Sequence, residues 1–132
     1  MYSAELLDHF ENPRNAGELE SPDASAQLEN PVCGDILELS LRLDKRKLEN
    51  KRPEKKELEG SRIADIRFRA KGCVPMIACG SAITELVKGK NLDEARQISR
   101  EDLLKKVGGV PEASSHACQL AIDTLRSALR GL

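Results

Sequence analysis

The sequence contains very few aromatic residues. Its 132 residues include two Phe, one Tyr and no Trp. Proteins that bind single-stranded nucleic acids commonly stack the bases on aromatic side chains, so this composition excludes that mode of binding. The core must instead be built from Leu, Ile, Val and Ala.

The sequence also has no excess of either charge and no long apolar run. Lys and Arg number 21 and Asp and Glu 22, so no basic excess indicates a nucleic-acid interface. No apolar run approaches the length of a membrane span. The N-terminus, MYSAELLDHF, has neither the basic start nor the apolar stretch of a secretory signal. We therefore predict a cytoplasmic protein, with one domain over residues 1–132 and no nucleic-acid or membrane partner.

The periodicity of the apolar residues predicts an α+β fold. Residues 36–44 and 62–70 alternate apolar and polar side chains, which indicates two half-buried strands in an antiparallel hairpin. A short strand is predicted near residues 26–28. Helical spacing occurs in the segments 3–10, 75–88, 92–98, 99–107 and 115–129. The sequence thus predicts a small antiparallel sheet packed against a helical C-terminal half.

A highly charged connector, KRKLENKRPEKKELEGS, separates the two predicted strands over about residues 45–61. This composition is typical of a solvated, mobile insertion. The alternative is an arm that docks a partner, and the sequence does not separate the two.

Two of the four cysteines lie in turns beside glycines, where no apolar periodicity requires them. Cys33 lies in NPVCGD, with the carboxylate of Asp35 two residues later, and Cys73 lies in KGCVP before a predicted helix. Thiols in the cytosol are more often ligands or nucleophiles than disulfides, although four cysteines also permit two disulfides. The helix start should lower the pKa of Cys73 and favour its thiolate. A metal or sulfur site is therefore predicted for these two cysteines.

The other two cysteines lie on apolar helical faces. Cys79 shares its face with Met76 and Ile83, which favours a core position. Cys118 follows His116 at the start of the last helix, and both are candidate ligands; Cys118 also lies on an apolar stripe, and His116 suits a polar surface position equally. With no CxxC pattern in the sequence, any site must be assembled from distant segments by folding.

Four blocks of the sequence resemble the iron–sulfur cluster assembly scaffold family, of the IscU and NifU N-terminal type. They are DHFENPRNAG, PVCGD, FRAKGC and TELVKGKNLDEA, and the C-terminal LAIDTLRSAL resembles the family's last helix. The resemblance implies a compact α+β domain in which Cys33 and Cys73 match two of three cluster-binding cysteines. It implies that Asp35 keeps the site labile. Such scaffolds are not independent enzymes: they take sulfur from a cysteine desulfurase and pass a transient cluster, most simply 2Fe–2S, to apo iron–sulfur proteins. Many also bind zinc in the same pocket.

The sequence departs from the family pattern at the third cysteine. The family's cysteine directly follows its histidine, whereas Ala117 stands between His116 and Cys118 here. If the downstream residues set the register, Cys118 is rotated by about 100° on a regular helix. Either the helix begins later and Cys118 still reaches the site, or His116 and Asp35 complete it with two cysteines. The segment GGVPEASS also differs from the family's chaperone-recognition segment, so a specialised chaperone is not an expected partner.

Two other functions fit the same residues. The first is a zinc-containing persulfide acceptor that assembles no cluster, with Cys33, Cys73, Asp35 and either Cys118 or His116 around the metal. The second is a metal-free adaptor that binds the desulfurase through the connector.

Overall fold

In the computed structural model, residues 2–44 and 60–132 are described; residues 45–59, most of the charged connector predicted over about 45–61, lie outside the described residues. The described residues form five α-helices, three strands and a short 3-10 helix. These are α1 Ala4–Glu11, β1 Ala24–Glu29, β2 Ile36–Leu43, β3 Ile63–Lys71, α2 Val74–Val87, α3 Leu92–Arg96, α4 Arg100–Lys106, the 3-10 helix Glu112–Ser114 and α5 Ser115–Arg130. No helix in these two ranges has the length and apolar character that crossing a membrane would require.

The three strands form an antiparallel sheet in the order β1-β2-β3. Leu39 in the central strand pairs with Ala26 on one side and Phe68 on the other. Because side chains alternate along a strand, the leucines at every second position of β2 all point to the same face, where Leu37 and Leu41 are fully buried. The predicted hairpin is confirmed, and the predicted short strand is the edge strand β1.

Helices α2 and α5 pack against the sheet and against each other, and α1 packs on α2. The predicted apolar stripe of α5 is buried along its whole length; it consists of Cys118, Ile122, Leu125 and Leu129. Helix α2 approaches β3 so closely that a Cβ on Gly80 would lie 2.7 Å from the ring of Phe68. The sheet therefore packs on a helical layer, and the α+β prediction is confirmed.

Local sequence signals fix where several helices begin. Ser3 caps α1 by accepting a hydrogen bond from the Leu6 N–H at 3.0 Å. Ser99 and Asp102 form a capping box at the start of α4. The shorter α3 has a similar box, made by Asn91 and Glu94, that the sequence analysis did not identify.

A buried polar network gives structural roles to His9 and Arg14 in DHFENPRNAG, the first of the four blocks quoted above. His9 Nδ1 lies 2.8 Å from Ser81 Oγ, and its Nε2 lies 3.3 Å from a carboxylate oxygen of Glu85. The backbone N–H of Arg14 donates to the same Ser81 hydroxyl at 2.8 Å. His9 is only 5% exposed. The network therefore ties α1 and the segment after it to the middle of α2.

His9 should make the free energy of unfolding fall at mildly acidic pH. Burial first, and then the charge of Arg14, lower the pKa of His9 below 6.5, although Glu85 opposes them. As the pH falls, the unfolded chain therefore takes up a proton on His9 before the folded protein does. The contribution of neutral His9 to the stability of the folded state is present above pH 6.5 and is lost as the pH falls below it. The slope for one proton is at most about 1.4 kcal/mol per pH unit. Urea unfolding between pH 7.5 and about pH 5 measures it.

The control is the variant His9→Asn, which should unfold more easily at neutral pH but lose most of the pH dependence in this range. A slope that is unchanged in His9→Asn would contradict the assignment to His9.

Candidate functional site

Three segments from distant parts of the sequence meet at one end of the sheet. They are the loop over residues 30–35 between β1 and β2, the junction of β3 with α2, and the first turn of α5. The first two are adjacent because Ile36, at the start of β2, pairs with Lys71, at the end of β3. This end of the sheet carries four of the five predicted site residues.

The loop between β1 and β2 presents Cys33 to solvent. Its ends are closed by hydrogen bonds from Gly34 N to Asn30 O, at 2.7 Å, and from Asn30 N to Asp35 O, at 2.8 Å. Gly34 has a φ of +77°, in the left-handed region that glycine adopts at little cost. Val32 at the tip is 94% exposed, and Cys33 beside it is exposed too. The turn therefore makes Cys33 the accessible thiol of the site.

Asp35 lies at the centre of the site, and it is only 3% exposed. Its Oδ1 accepts a hydrogen bond from the backbone N–H of Cys73 at 3.3 Å, and its Oδ2 accepts one from the Cys73 thiol at 3.4 Å. Nε2 of His116 lies 3.0 Å from Oδ2. One carboxylate thus connects all three segments.

The surroundings of Asp35 keep its carboxyl ionised. Burial by itself would raise the pKa of this group. Hydrogen bonds from the Cys73 thiol, the His116 ring, the Cys73 backbone and the Cys33 thiol outweigh burial, and the pKa lies below its ordinary value. A negative charge therefore stands among the thiols at neutral pH.

Cys73 is the residue immediately before α2, as predicted, but its protonation differs from the prediction. Burial first, and then the hydrogen bond to and charge of Asp35, raise the pKa of the Cys73 thiol; the N–H of Met76 in the first helical turn opposes this only in part. The predicted lowering of this pKa is wrong, because a partly buried thiol beside a carboxylate is favoured in its neutral form.

His116 completes a compact group of ligand atoms. One such atom from each of Cys33, Asp35 and His116 lies within 4.8 Å of the others. The Cys73 thiol adjoins this group through its hydrogen bond to Asp35. Thiolate, imidazole and carboxylate together suit zinc or iron, so the arrangement can hold a metal that the side chains approach from three sides.

Cys118 lies elsewhere. Helix α5 already begins at Ser115, so the alternative of a later helix start is not what the structure shows. Cys118 is two residues after His116, about 200° around the helix, and its side chain is fully buried. Its sulfur lies 3.4 Å from that of Cys79, which is buried as predicted. Of the two sequence alternatives, the structure places His116 at the site and Cys118 in the core.

Gly72 supports the site and was not identified from the sequence. Its φ is +149°, and a Cβ at this position would lie 2.7 Å from Cγ and 3.2 Å from Cα of Asp35. Only a residue without a side chain lets the β3–α2 junction approach the carboxylate this closely. A glycine between a strand and a cysteine was the signal available in the sequence.

The substitution Gly72→Ala should displace the Asp35 carboxylate and weaken metal binding. We expect the affinity for Zn²⁺ to fall by about 10- to 100-fold, the range found when groups that orient metal ligands are removed. Competition with a chromogenic chelator measures it.

Gly89→Ala is the matched control, because Gly89 also has a positive φ, +87°, but a Cβ there would meet nothing within 4 Å. Both variants should lose stability from backbone strain, and only Gly72→Ala should lose affinity for zinc. Equal losses of affinity in the two variants would contradict a specific role for Gly72.

The sequence matches proteins whose names describe cluster assembly. The family model of the NifU-like N-terminal domain matches residues 1–131. An iron-sulfur cluster assembly scaffold protein IscU from Archaeoglobus fulgidus is 37% identical over 129 residues, which span 98% of this chain and 74% of that protein. The IscU scaffold protein of Escherichia coli K12 is 35% identical over 131 residues, covering 97% of this chain and 91% of that one.

The fold is also found among solved structures. A protein described as a putative iron-sulfur cluster assembly scaffold for the SUF system, from Fervidobacterium islandicum, superposes with a TM-score of 0.72 at 19% identity. The match covers 97% of this chain and 96% of that one. At this identity the likeness concerns the fold.

Proposed function

The chain belongs to the NifU-like N-terminal domain family, and from this membership we propose that it is a scaffold on which an iron–sulfur cluster is transiently assembled and from which it is transferred. The observation that carries the proposal is the convergence of two thiols and an imidazole on the ionised Asp35 carboxylate. The role is that of a carrier of cluster cargo, which requires ligands rather than a catalytic group.

We propose Cys33, Asp35, Cys73 and His116 as the ligands. Thiolates are the usual ligands of iron–sulfur clusters, and imidazole replaces thiolate in some of them. His116 therefore supplies a third ligand in place of the cysteine that directly follows the histidine in the family pattern, where this sequence has Ala117. Coordination by a cation also removes the proton from a thiol, so the raised pKa of Cys73 does not prevent it from acting as a ligand.

The same ligand set accounts for release of the cluster. A carboxylate oxygen is a harder ligand than sulfur and matches the soft cluster poorly. Cys33 is on an exposed loop tip, where a recipient protein can reach it. The site should therefore hold a 2Fe–2S cluster long enough for assembly and release it to an apo-protein or carrier. Zinc fits the same donors.

The exposure of the cysteines bears on how sulfur arrives. A persulfide can be transferred only to a thiol that the donor reaches, and Cys33 is exposed whereas Cys118 is fully buried. We propose Cys33 as the acceptor of sulfur from a cysteine desulfurase in the cytoplasm. Burial of Cys118 gives no support to the form of the zinc-containing persulfide acceptor that has Cys118 beside the metal.

Anaerobic reconstitution tests the proposal. The protein is incubated with ferrous iron, cysteine and a cysteine desulfurase, and the visible spectrum is followed; we expect sulfur-to-iron charge-transfer bands and later transfer of the cluster to an apo-ferredoxin. Tightly bound zinc, persulfide on a cysteine and no charge-transfer bands would refute it.

A further inference from the structure

Cys79 and Cys118 form a second pair of cysteines, away from the proposed ligands. Their sulfur atoms lie 3.4 Å apart, and both side chains are fully buried. Cys79 is in the first half of α2, and Cys118 is in the first turns of α5. The two thiols are free and directly face one another across the packed helices.

The two sulfur atoms are near enough for a disulfide to be considered. A disulfide requires a sulfur–sulfur distance of about 2.05 Å, so the two atoms, now 3.4 Å apart, need to approach by about 1.4 Å. Side-chain rotation can close this distance only where the two helices already lie side by side, and α2 packs directly on α5. The packing of α2 on α5 therefore already places the two thiols opposite each other.

We propose that Cys79 and Cys118 are a redox modification site, at which a reversible disulfide links α2 to α5. This inference does not rest on the scaffold function, since neither cysteine is among the proposed ligands. The disulfide would nevertheless affect the proposed ligand site, because α2 begins beside Cys73 and α5 carries His116. The bond would fasten together the two helices that hold these ligands.

The reaction requires a disulfide of low molecular weight, such as oxidised glutathione, as the oxidant. One thiol of the pair attacks it, forming a mixed disulfide and releasing one molecule of thiol. The second cysteine then attacks the mixed disulfide, and the Cys79–Cys118 bond forms as a second molecule of thiol leaves. The two cysteines together lose two electrons and two protons, and the oxidant gains them.

The buried pair can be reached through the start of α5. The residue before this helix, Ser114, makes no side-chain capping hydrogen bond, so the first turn of α5 lacks a stabilising contact that α1, α3 and α4 have. Helix ends without caps open more readily than helix middles. Transient opening of this turn exposes Cys118 to the oxidant.

The test uses a background in which only this pair is left, Cys33→Ser with Cys73→Ser. The reduced protein is treated with oxidised glutathione, then denatured, alkylated and digested for mass spectrometry. We expect a peptide pair joined through Cys79 and Cys118, with no attached glutathione and no dimer. If the Cys33→Ser, Cys73→Ser double variant folds poorly, the same peptide mapping is carried out on the protein of natural sequence.

Thermal unfolding supplies the second readout. A cross-link between residues 39 apart in the sequence should raise the Tm by up to about 14 °C, and a reductant should reverse the shift. The control adds Cys118→Ala to the background, and its Tm should not respond to the oxidant.

Three results would overturn the inference. In the first, both thiols remain open to alkylation after oxidation, and in the second glutathione remains attached to one of them. In the third, the linked form has a Tm equal to or lower than that of the reduced form.

Discussion

Replacing Cys33 with serine is expected to abolish assembly of a stable cluster, and replacing Cys73 should do the same. Each substitution removes one of two thiol ligands and leaves a hydroxyl, which binds iron–sulfur clusters poorly. The other two cysteines, Cys79 and Cys118, are fully buried in the core, so neither can replace a lost thiol ligand. After reconstitution the charge-transfer absorbance per protein should be below about a tenth of that of the natural sequence, since loss of only an orienting group already costs 10- to 100-fold.

Cys79→Ala is the matched control for both substitutions. It also removes a thiol from the β3–α2 half of the molecule, but from the core, where the cost is one of stability and not of ligation. It should reconstitute to near the level of the natural sequence at a temperature where it is folded. A cluster that forms in Cys33→Ser but fails in Cys79→Ala would refute the assignment of ligands.

Replacing Asp35 with alanine is expected to prolong the lifetime of the cluster. The substitution removes an oxygen ligand and a buried negative charge beside two thiolates. It also removes the neighbour that helps to raise the pKa of Cys73, so its thiolate becomes more available. We expect transfer to an apo-ferredoxin to be slower by about tenfold, a difference of about 1.4 kcal/mol. The decay of the charge-transfer bands on adding the recipient measures this rate.

Asp35→Asn separates charge from shape. The amide retains the size of the side chain and an oxygen, but it carries no charge; if the charge drives release, this variant should also release slowly. Faster release from both variants would show that Asp35 holds the cluster in place, contrary to the proposal.

Much of the fold was predictable because local patterns determine it. Alternation in β2 and β3 gives the hairpin, and Ser3 and Ser99 mark two helix starts. Cys33 and Cys73 could be singled out because they lie in turns, where core packing does not explain a cysteine. The family resemblance, which the comparisons confirm, joined these residues into one site.

What could not be predicted depends on tertiary contacts. Choosing between His116 and Cys118 required knowing where α5 begins and how this helix is rotated against α2. A shift of one residue turns each side chain by about 100° around the helix, so a different residue would then face the site. The pKa of Cys73 depends on the buried carboxylate of Asp35, which is far away in the sequence. The need for glycine at position 72 likewise arises from a contact with another segment.

The hairpin has one further consequence, for protein engineering. Ile36 pairs with Lys71 at the cysteine end of the sheet, whereas Leu43 pairs with Ile63 at the opposite end, beside the charged connector. The eight residues of β2 separate the two ends by about 23 Å, at about 3.3 Å per residue. A fluorophore, purification tag or fused protein attached next to Asp44 or Gly60 should therefore leave the cysteine end of the sheet unobstructed.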